Sequence, residues 1–220
     1  LTENGARLIK NNAIILVLIS AFIIFVHMYS IKKKEIEKLC ALFLGSKGVT
    51  TDTRTCADGL IFFALKGERF NGNSFALQAL EKGCSYAVID ETEYYDSANN
   101  QLILVDNVLL TLQTLARYHR EQLGTPVIGI TGTNGKTTTK ELIATVMNSK
   151  YNTHYTKGNL NNSIGVPLTL LQLKPEHEYA IIEMGASHPG DIEELVNICL
   201  PNYGLITNVG KAHLLGFGSF

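Results

Sequence analysis

The stretch Val127-Ile128-Gly129-Ile130-Thr131-Gly132-Thr133-Asn134-Gly135-Lys136-Thr137-Thr138-Thr139-Lys140 decides how this chain is read. Four of its first five residues are β-branched, the composition of a buried parallel strand. Two further glycines, two lysines and four threonines follow. A helical pattern then runs from Glu141 through Leu142, Ile143 and Val146 to Met147. Strand, Gly-rich turn, Lys-Thr and helix together make a phosphate-binding arrangement. Backbone N–H groups of the turn and the positive end of the helix surround the phosphates, and Lys136 adds a point charge. A threonine hydroxyl, Thr137 by position, holds Mg²⁺. The spacing is not the general one: the glycine expected five positions before Gly135 is Ile130. What stands here is the shorter Gly132-Thr133-Asn134-Gly135-Lys136-Thr137-Thr138, read as a nucleoside triphosphate site.

The rest of the chain sets bounds on that reading. Its 220 residues suffice for one large domain or two small ones with real cores. Net charge is −1, from 19 Lys+Arg against 20 Asp+Glu, so no global basic field calls for nucleic acid. Hydrophobic content of 45% and charged content of 18% mark a globular chain. Cys40, Cys56, Cys84 and Cys199 are scattered, without metal spacing, and read as buried free thiols in a reducing compartment.

An almost unbroken apolar run, Ala13 to Val26, lies near the start, with Lys32, Lys33 and Lys34 after it. It is shorter than the about 20 residues a spanning helix needs, and no small-residue cleavage site follows it. Residues 1–27 are therefore open to three readings: upstream translation before Met28, a membrane anchor, or a signal peptide. Lysines after the run favour a cytoplasmic remainder if it inserts.

Residues 28–125 alternate helix and strand, which predicts an α/β domain. Lys34–Leu44 has helical spacing, Leu60–Leu65 reads as a buried strand and Lys66–Asn73 as a turn. A helix over Phe75–Lys82, strands at Tyr86–Ile89 and Leu102–Val105, and a helix over Val108–Leu123 closed by Gly124 follow. Thr51-Asp52-Thr53-Arg54 and Asn71-Gly72-Asn73 stand at strand ends and turns, where ligands are met, although their composition favours turns in any case. Residues 126–220 continue with the phosphate-loop strand and helix, a strand at Thr153–Thr156, and an amide-rich loop through Asn161-Asn162-Ser163. A helical turn is expected over Leu168–Leu173. Tyr179–Glu183 is an apolar strand ending in a carboxylate; in a parallel sheet that end faces the ligand crevice, so Glu183 is a candidate Mg²⁺ contact or water anchor. Asp191 is expected to cap the next helix. The strand Leu205–Thr207 leads to His213, whose imidazole is a candidate metal ligand.

Four blocks in this order resemble the Mur ligase family: Gly132–Thr138; Gly158-Asn159-Leu160-Asn161-Asn162-Ser163-Ile164-Gly165-Val166-Pro167-Leu168-Thr169-Leu170-Leu171; Glu183-Met184-Gly185-Ala186-Ser187-His188-Pro189-Gly190-Asp191-Ile192; and Thr207-Asn208-Val209-Gly210-Lys211-Ala212-His213-Leu214-Leu215-Gly216-Phe217-Gly218-Ser219. The shortened phosphate loop is this family's own version, and the resemblance runs from about Tyr29 to the last residue. It implies a small N-terminal α/β substrate domain followed by an incomplete P-loop-type central domain with a mostly parallel sheet. It further implies ATP- and Mg²⁺-dependent amide ligation in peptidoglycan precursor synthesis. The member it resembles most joins D-alanyl-D-alanine to UDP-N-acetylmuramoyl-tripeptide through an acyl phosphate. Carried over by position, Gly132, Thr133, Asn134, Gly135, Lys136, Thr137 and Thr138 bind ATP; Thr137 and Glu183 bind Mg²⁺, and His213 a second one. Lys136, Glu183 and His213 form the catalytic set.

Asp52, Thr53, Arg54, Lys66, Asn71, Gly72 and Asn73, with Asn161, Asn162 and Ser163, resemble the UDP-substrate site. Where relatives often carry Asp-Gly-His, this chain has Asn71-Gly72-Asn73. The family's third domain is expected beyond Phe220, so the chain alone is expected not to ligate. A cytoplasmic monomer without nucleic acid is the expectation. Competing readings are a sister ligase adding the third amino acid, a folylpolyglutamate-type ligase, or a non-catalytic membrane-tethered nucleotide-binding module. A GTPase switch lacks support, because no guanine-reading Asn-Lys-x-Asp is present.

Overall fold

A computed structural model of the protein describes residues 33–210, so the apolar run at 13–26 and His213 lie outside the described residues. Among those described, no helix is long and apolar enough to cross a membrane. By its internal contacts the chain divides into two compact units, residues 1–39 and 40–220. The described part of the first, 33–39, is helical, and residues 40–44 are helical too. All that follows concerns the second unit.

Its first half runs β1 (Val49–Thr50), β2 (Ile61–Phe63), β3 (Lys66–Gly67), β4 (Phe70–Asn71), a 3₁₀ turn at Gly72–Phe75, α1 (Ala76–Glu81), β5 (Tyr86–Ile89) and β6 (Leu102–Leu104). β1, β2, β5 and β6 form a parallel sheet in that order. Ile61, Phe62 and Phe63 are all buried, as a strand covered on both faces requires. Phe62, Ala76, Ala79, Ala87, Ile89 and Leu102 share one core. The expected turn at Lys66–Asn73 holds an antiparallel hairpin, β3 against β4. Two-residue strands are too short to show a period of two, which is why the sequence read only turn chemistry there.

α2 (Val108–Leu123) starts where the Asn107 side chain accepts from Leu110 N–H at 2.8 Å and ends at Gly124, with φ 67°. Its buried positions Val108, Leu112, Leu115, Ala116 and His119 recur at helical spacing. Although α2 follows the first sheet in sequence, it packs chiefly on two later helices, α4 (Gly165–Leu170) and α5 (Asp191–Cys199).

The second sheet is built from β7 (Val127–Thr131), β8 (Thr153–Tyr155), β9 (Tyr179–Glu183) and β10 (Tyr203–Ile206), with α3 (Lys136–Asn148) between β7 and β8. Its order is β10-β7-β9-β8, all parallel. The α/β class and the mostly parallel sheets are thus as expected. β7 lies between β9 and β10, with Ile130 opposite both Glu183 and Leu205. Loops leaving the carboxyl ends of these three strands therefore emerge side by side, the place where open parallel sheets hold ligands.

Two local expectations shift. α4 begins at Gly165 rather than Leu168, because Asn162 Oδ1 accepts from the N–H groups of Ile164 (3.1 Å) and Gly165 (2.8 Å). Pro167 is tolerated there because it falls in the first turn. Asp191 is the first residue of α5, not its cap; Gly190 takes that place, and Asp191 Oδ2 accepts from Ser187 and His188 N–H at 2.7 and 2.8 Å.

Candidate active site

The loop after β7 turns sharply at two glycines. Gly132 has φ 133° and Gly135 has φ 79°. At Gly132 a side chain would also land on Thr207 Oγ1 and come within 2.9 Å of Asn208 O. Only glycine lets the loop pass this close to the backbone beyond β10. Gly135 is the N-cap of this 13-residue helix α3 and, having no side chain, leaves the first-turn N–H groups uncapped by it. Such groups, with the positive end of the helix dipole, form an anion site. Lys136 Nζ curls over the loop, donating to Gly132 O at 2.7 Å and Thr133 O at 3.2 Å.

Both flanks of the loop are set by neighbouring strands. Beyond β10, Asn134 N–H donates to Asn208 Oδ1 at 3.1 Å, while Thr207 Oγ1 and Asn208 Nδ2 donate to Asn134 O at 2.6 and 2.9 Å. Thr133 N–H donates to Asn208 O at 3.0 Å. On the other side stands Glu183, the last residue of β9 and only 2% exposed. Thr137 Oγ1 and Asn161 Nδ2 both donate to its Oε1, at 3.2 and 3.0 Å. The Asn161 backbone carbonyl accepts from Gly185 N–H at 2.7 Å, which ties the amide-rich loop to the end of β9.

The structure thus brings Thr137, Glu183 and Asn161 together. Asn161 lies in the phosphate-loop cluster, whereas Asn162 Oδ1 accepts from the Ile164 and Gly165 N–H groups where α4 begins and Ser163 offers its carbonyl to Gln113 Nε2 at 3.1 Å. One participant had no role in the sequence reading. Lys140, fully buried, places Nζ 3.6 Å from Glu183 Oε2 and 3.1 Å from Glu141 Oε1. Lys140 Nζ and Glu183 Oε2 are buried atoms with no hydrogen-bond partner. The signal available was spacing: Lys140 is four residues after Lys136, on the same face of the helix.

A divalent cation fits this donor set. Glu183 Oε1 is a hard anionic oxygen on the loop side, and the Thr137 hydroxyl lies against it at 3.2 Å. Among the described residues no three His, Cys, Asp or Glu side chains group into a metal site. A cation held here would therefore draw most of its ligands from phosphate oxygens and water, the usual habit of Mg²⁺.

A second cluster sits at the carboxyl ends of β2 and β5. Lys66 Nζ lies 3.1 Å from Asp90 Oδ1 and 3.3 Å from Glu91 Oε1. Asn71 Nδ2 donates to Glu91 Oε2 at 2.6 Å, and Asn73 Nδ2 to Asp90 Oδ1 at 3.0 Å. Asp90 N–H returns a bond to Asn73 Oδ1 at 2.9 Å, and Asp90 Oδ2 accepts from Val108 N–H at 3.1 Å, the first residue of α2. Gly72 is demanded by the crowding of Ala64 and Leu65 backbone atoms against any side chain there. Lys66, Asn71, Gly72 and Asn73 are therefore one constellation, completed by Asp90 and Glu91, which the sequence reading missed. Their only signal was position, as acids at the end of a strand. Asp52 and Arg54 pair with each other on the surface at 2.6 Å, holding the Asp52 carboxyl down at about 2 through the Arg54 side-chain hydrogen bond. Thr53 O accepts from Lys82 Nζ at 2.8 Å.

Known proteins match this chain in two blocks. The model described as "Mur ligase family, catalytic domain" matches residues 46–120, and "Mur ligase middle domain" matches residues 130–220. The chain is 45% identical over 172 residues to the UDP-N-acetylmuramoyl-tripeptide–D-alanyl-D-alanine ligase of Bacillus subtilis (strain 168), covering 78% of this chain and 38% of that protein. With the enzyme of the same name from Escherichia coli (strain K12) identity is 44% over 171 residues, covering 78% and 37%. Among solved structures, MurF from Acinetobacter baumannii superposes with a TM-score of 0.73 at 38% identity, covering 80% of this chain and 42% of that one. MurF ligase from Thermotoga maritima in complex with ADP gives 0.70 at 34%, covering 79% and 39%. The chain therefore spans well under half the length of these relatives.

Proposed function

From the premise that the chain belongs to the Mur ligase family, we propose that it takes part in ATP-dependent joining of D-alanyl-D-alanine to UDP-N-acetylmuramoyl-tripeptide, in peptidoglycan precursor synthesis. Residues 28–125 supply the UDP-substrate part and residues 126–220 belong to the ATP part. The observation that carries this reading is the meeting of the phosphate loop, Thr137, Asn161 and Glu183 at the carboxyl ends of β7 and β9. The names of the curated relatives support the choice of substrates.

In the proposed reaction the tripeptide carboxylate attacks the γ-phosphorus of ATP. The bond from that phosphorus to the β-phosphate oxygen breaks, and ADP leaves. The amine of D-alanyl-D-alanine then attacks the acyl carbon, loses a proton and expels inorganic phosphate. Loose phosphoryl-transfer transition states need charge neutralisation and alignment more than covalent help. The first-turn N–H groups of α3 and the Gly135 amide meet the phosphates, while the Thr133 and Asn134 N–H groups hold the loop against Asn208. Lys136 swings from its own loop carbonyls to the β- and γ-phosphate oxygens. Thr137 and Glu183 would hold Mg²⁺ and His213 a second one; ions held there would supply positive charge against the phosphates. Asn161 keeps Glu183 Oε1 oriented. The cluster of Lys66, Asn71 and Asn73 with Asp52, Thr53 and Arg54 meets the UDP moiety.

The test is Lys136→Ala in the full-length protein. Turnover with UDP-N-acetylmuramoyl-tripeptide and D-alanyl-D-alanine is expected to vanish, while binding of the UDP-substrate, followed by calorimetry, stays largely intact. Unchanged turnover overturns the site assignment. Turnover with a single amino acid on the dipeptide precursor, and none with D-alanyl-D-alanine, overturns the substrate assignment.

A further inference from the structure

Lys140 is a lysine with no access to solvent, aimed at the one carboxylate of the phosphate-loop cluster. It comes from the second turn of α3, directly behind Lys136 on the same helix face. The two oxygens of Glu183 have different surroundings. Oε1 takes hydrogen bonds from Thr137 and Asn161, on the side of the loop. Oε2 faces Lys140 Nζ at 3.6 Å and has no hydrogen bond. A buried carboxylate without a compensating charge is costly, and a buried ammonium equally so. Among the described residues the other carboxylate paired with Lys140 is Glu141, which is half exposed and so can find its own solvation in water.

We propose that Lys140 is a positioning residue for Glu183: its ammonium anchors Oε2, turns Oε1 toward the loop, and stops the carboxylate from capturing a divalent cation before the nucleotide arrives. The inference rests on the reading of Glu183 as a metal ligand. With Lys140 in place the pair is neutral, and the Thr137 hydroxyl adds no charge. A cation then gains enough attraction only when the phosphates come with it. Without Lys140 the same carboxylate is a buried, uncompensated anion, and a cation takes over the vacated role.

The experiment measures Mn²⁺ binding by electron paramagnetic resonance, and thermal unfolding with and without Mn²⁺, on the full-length protein with and without ADP. Wild type is expected to bind Mn²⁺ weakly alone and more tightly with ADP. Lys140→Met is expected to tighten ADP-free Mn²⁺ binding by about tenfold or more, as expected when one nearby positive charge is removed. Its lowered melting temperature is expected to recover when Mn²⁺ is added, and Lys140→Met/Glu183→Gln to show neither effect. Lys140→Gln, which is smaller and also neutral, provides the same comparison if the methionine variant does not fold. Unchanged ADP-free Mn²⁺ affinity in the neutral variants, with a stability loss that Mn²⁺ does not repair, overturns the inference and leaves Lys140 as packing. Glu183→Gln alone separates the two levels. If it abolishes ADP-dependent Mn²⁺ binding while the Lys140 variants behave as wild type, only the inference falls. If ADP-dependent binding survives it, or is absent from wild type, the metal-ligand reading falls as well.

Discussion

Alanine at Gly132 and alanine at Gly135 place the same methyl group three residues apart in one loop, with very different expected consequences. Both positions have positive φ, 133° and 79°, so each substitution carries backbone strain of about 1–2 kcal/mol. At Gly135 nothing lies within 4 Å of the added carbon, and strain is the whole effect. At Gly132 the methyl meets Thr207 Oγ1 and the backbone of Asn208, at 2.9 Å from its oxygen and 3.0 Å from its nitrogen. Backbone does not rotate out of the way, so the segment beyond β10 must move. Its hydrogen bonds to Asn134, from Thr207 Oγ1, from Asn208 Nδ2 and to Asn208 Oδ1, are then lost. Three bonds at about 0.5–1.5 kcal/mol each, added to the strain, give about 2.5–6.5 kcal/mol for Gly132→Ala. Urea denaturation of the two variants beside wild type measures the difference, with ADP binding by calorimetry as the functional readout. Gly132→Ala is expected to lose several times the stability that Gly135→Ala loses, and to lose ADP binding with it. Equal losses in the two variants would refute the claim that the loop is held against Asn208.

Two further predictions concern acid. Burial alone would raise the Asp90 carboxyl, but hydrogen bonds from Asn73, Val108 N–H and Lys66 outweigh it and hold the group below the ordinary carboxylate range. Its contribution is complete above the unfolded value of about 4 and is lost as pH falls below that; Asp90→Asn should flatten the stability profile below about pH 4, read from urea midpoints. Burial pushes His154 down to about 4, against the opposing bond to Thr169 O at 3.0 Å and with help from His177 and Lys157. The unfolded chain takes that proton at about 6.5 and the native one resists, so stability should fall between about pH 6.5 and 4. His154→Gln should remove that part of the slope, and an unchanged slope would count against the burial of this ring.

How far the sequence could be read depended on whether a residue's role was local. β7, the loop and α3 follow from a β-branched run, two glycines and a helical period within one continuous stretch. Gly132 and Gly135 are where backbone geometry demands them. Glu183 was legible because a carboxylate ending an apolar strand violates the pattern around it. Lys140 violates nothing visible: Lys140-Glu141 reads as a solvated pair, and only the fold brings β9 beside β7 and closes water away from it. Asp90 and Glu91 were missed for the same reason, since Lys66 and Asn73 reach them only through the parallel pairing of β2 with β5. The hairpin β3–β4 fell below the length at which alternation can be seen.

The packing of α2 bears on how this chain can be cut. Connectivity invites a break in the Gly124-Thr125-Pro126 linker, just ahead of β7. Yet α2, on the near side of that break, covers α4 and α5 on the far side, and Gln113 grips both Ser163 O and Glu194 Oε1, at 3.1 and 2.7 Å. Arg120 does the same at the end of α5, donating to Cys199 O, Leu200 O and Asn202 Oδ1 at 3.0, 3.0 and 2.8 Å. A piece begun at Pro126 would leave two helices bare and take the Arg120 donors from Cys199 O and Leu200 O at the end of α5. A piece begun at Asn107 would carry its own roof.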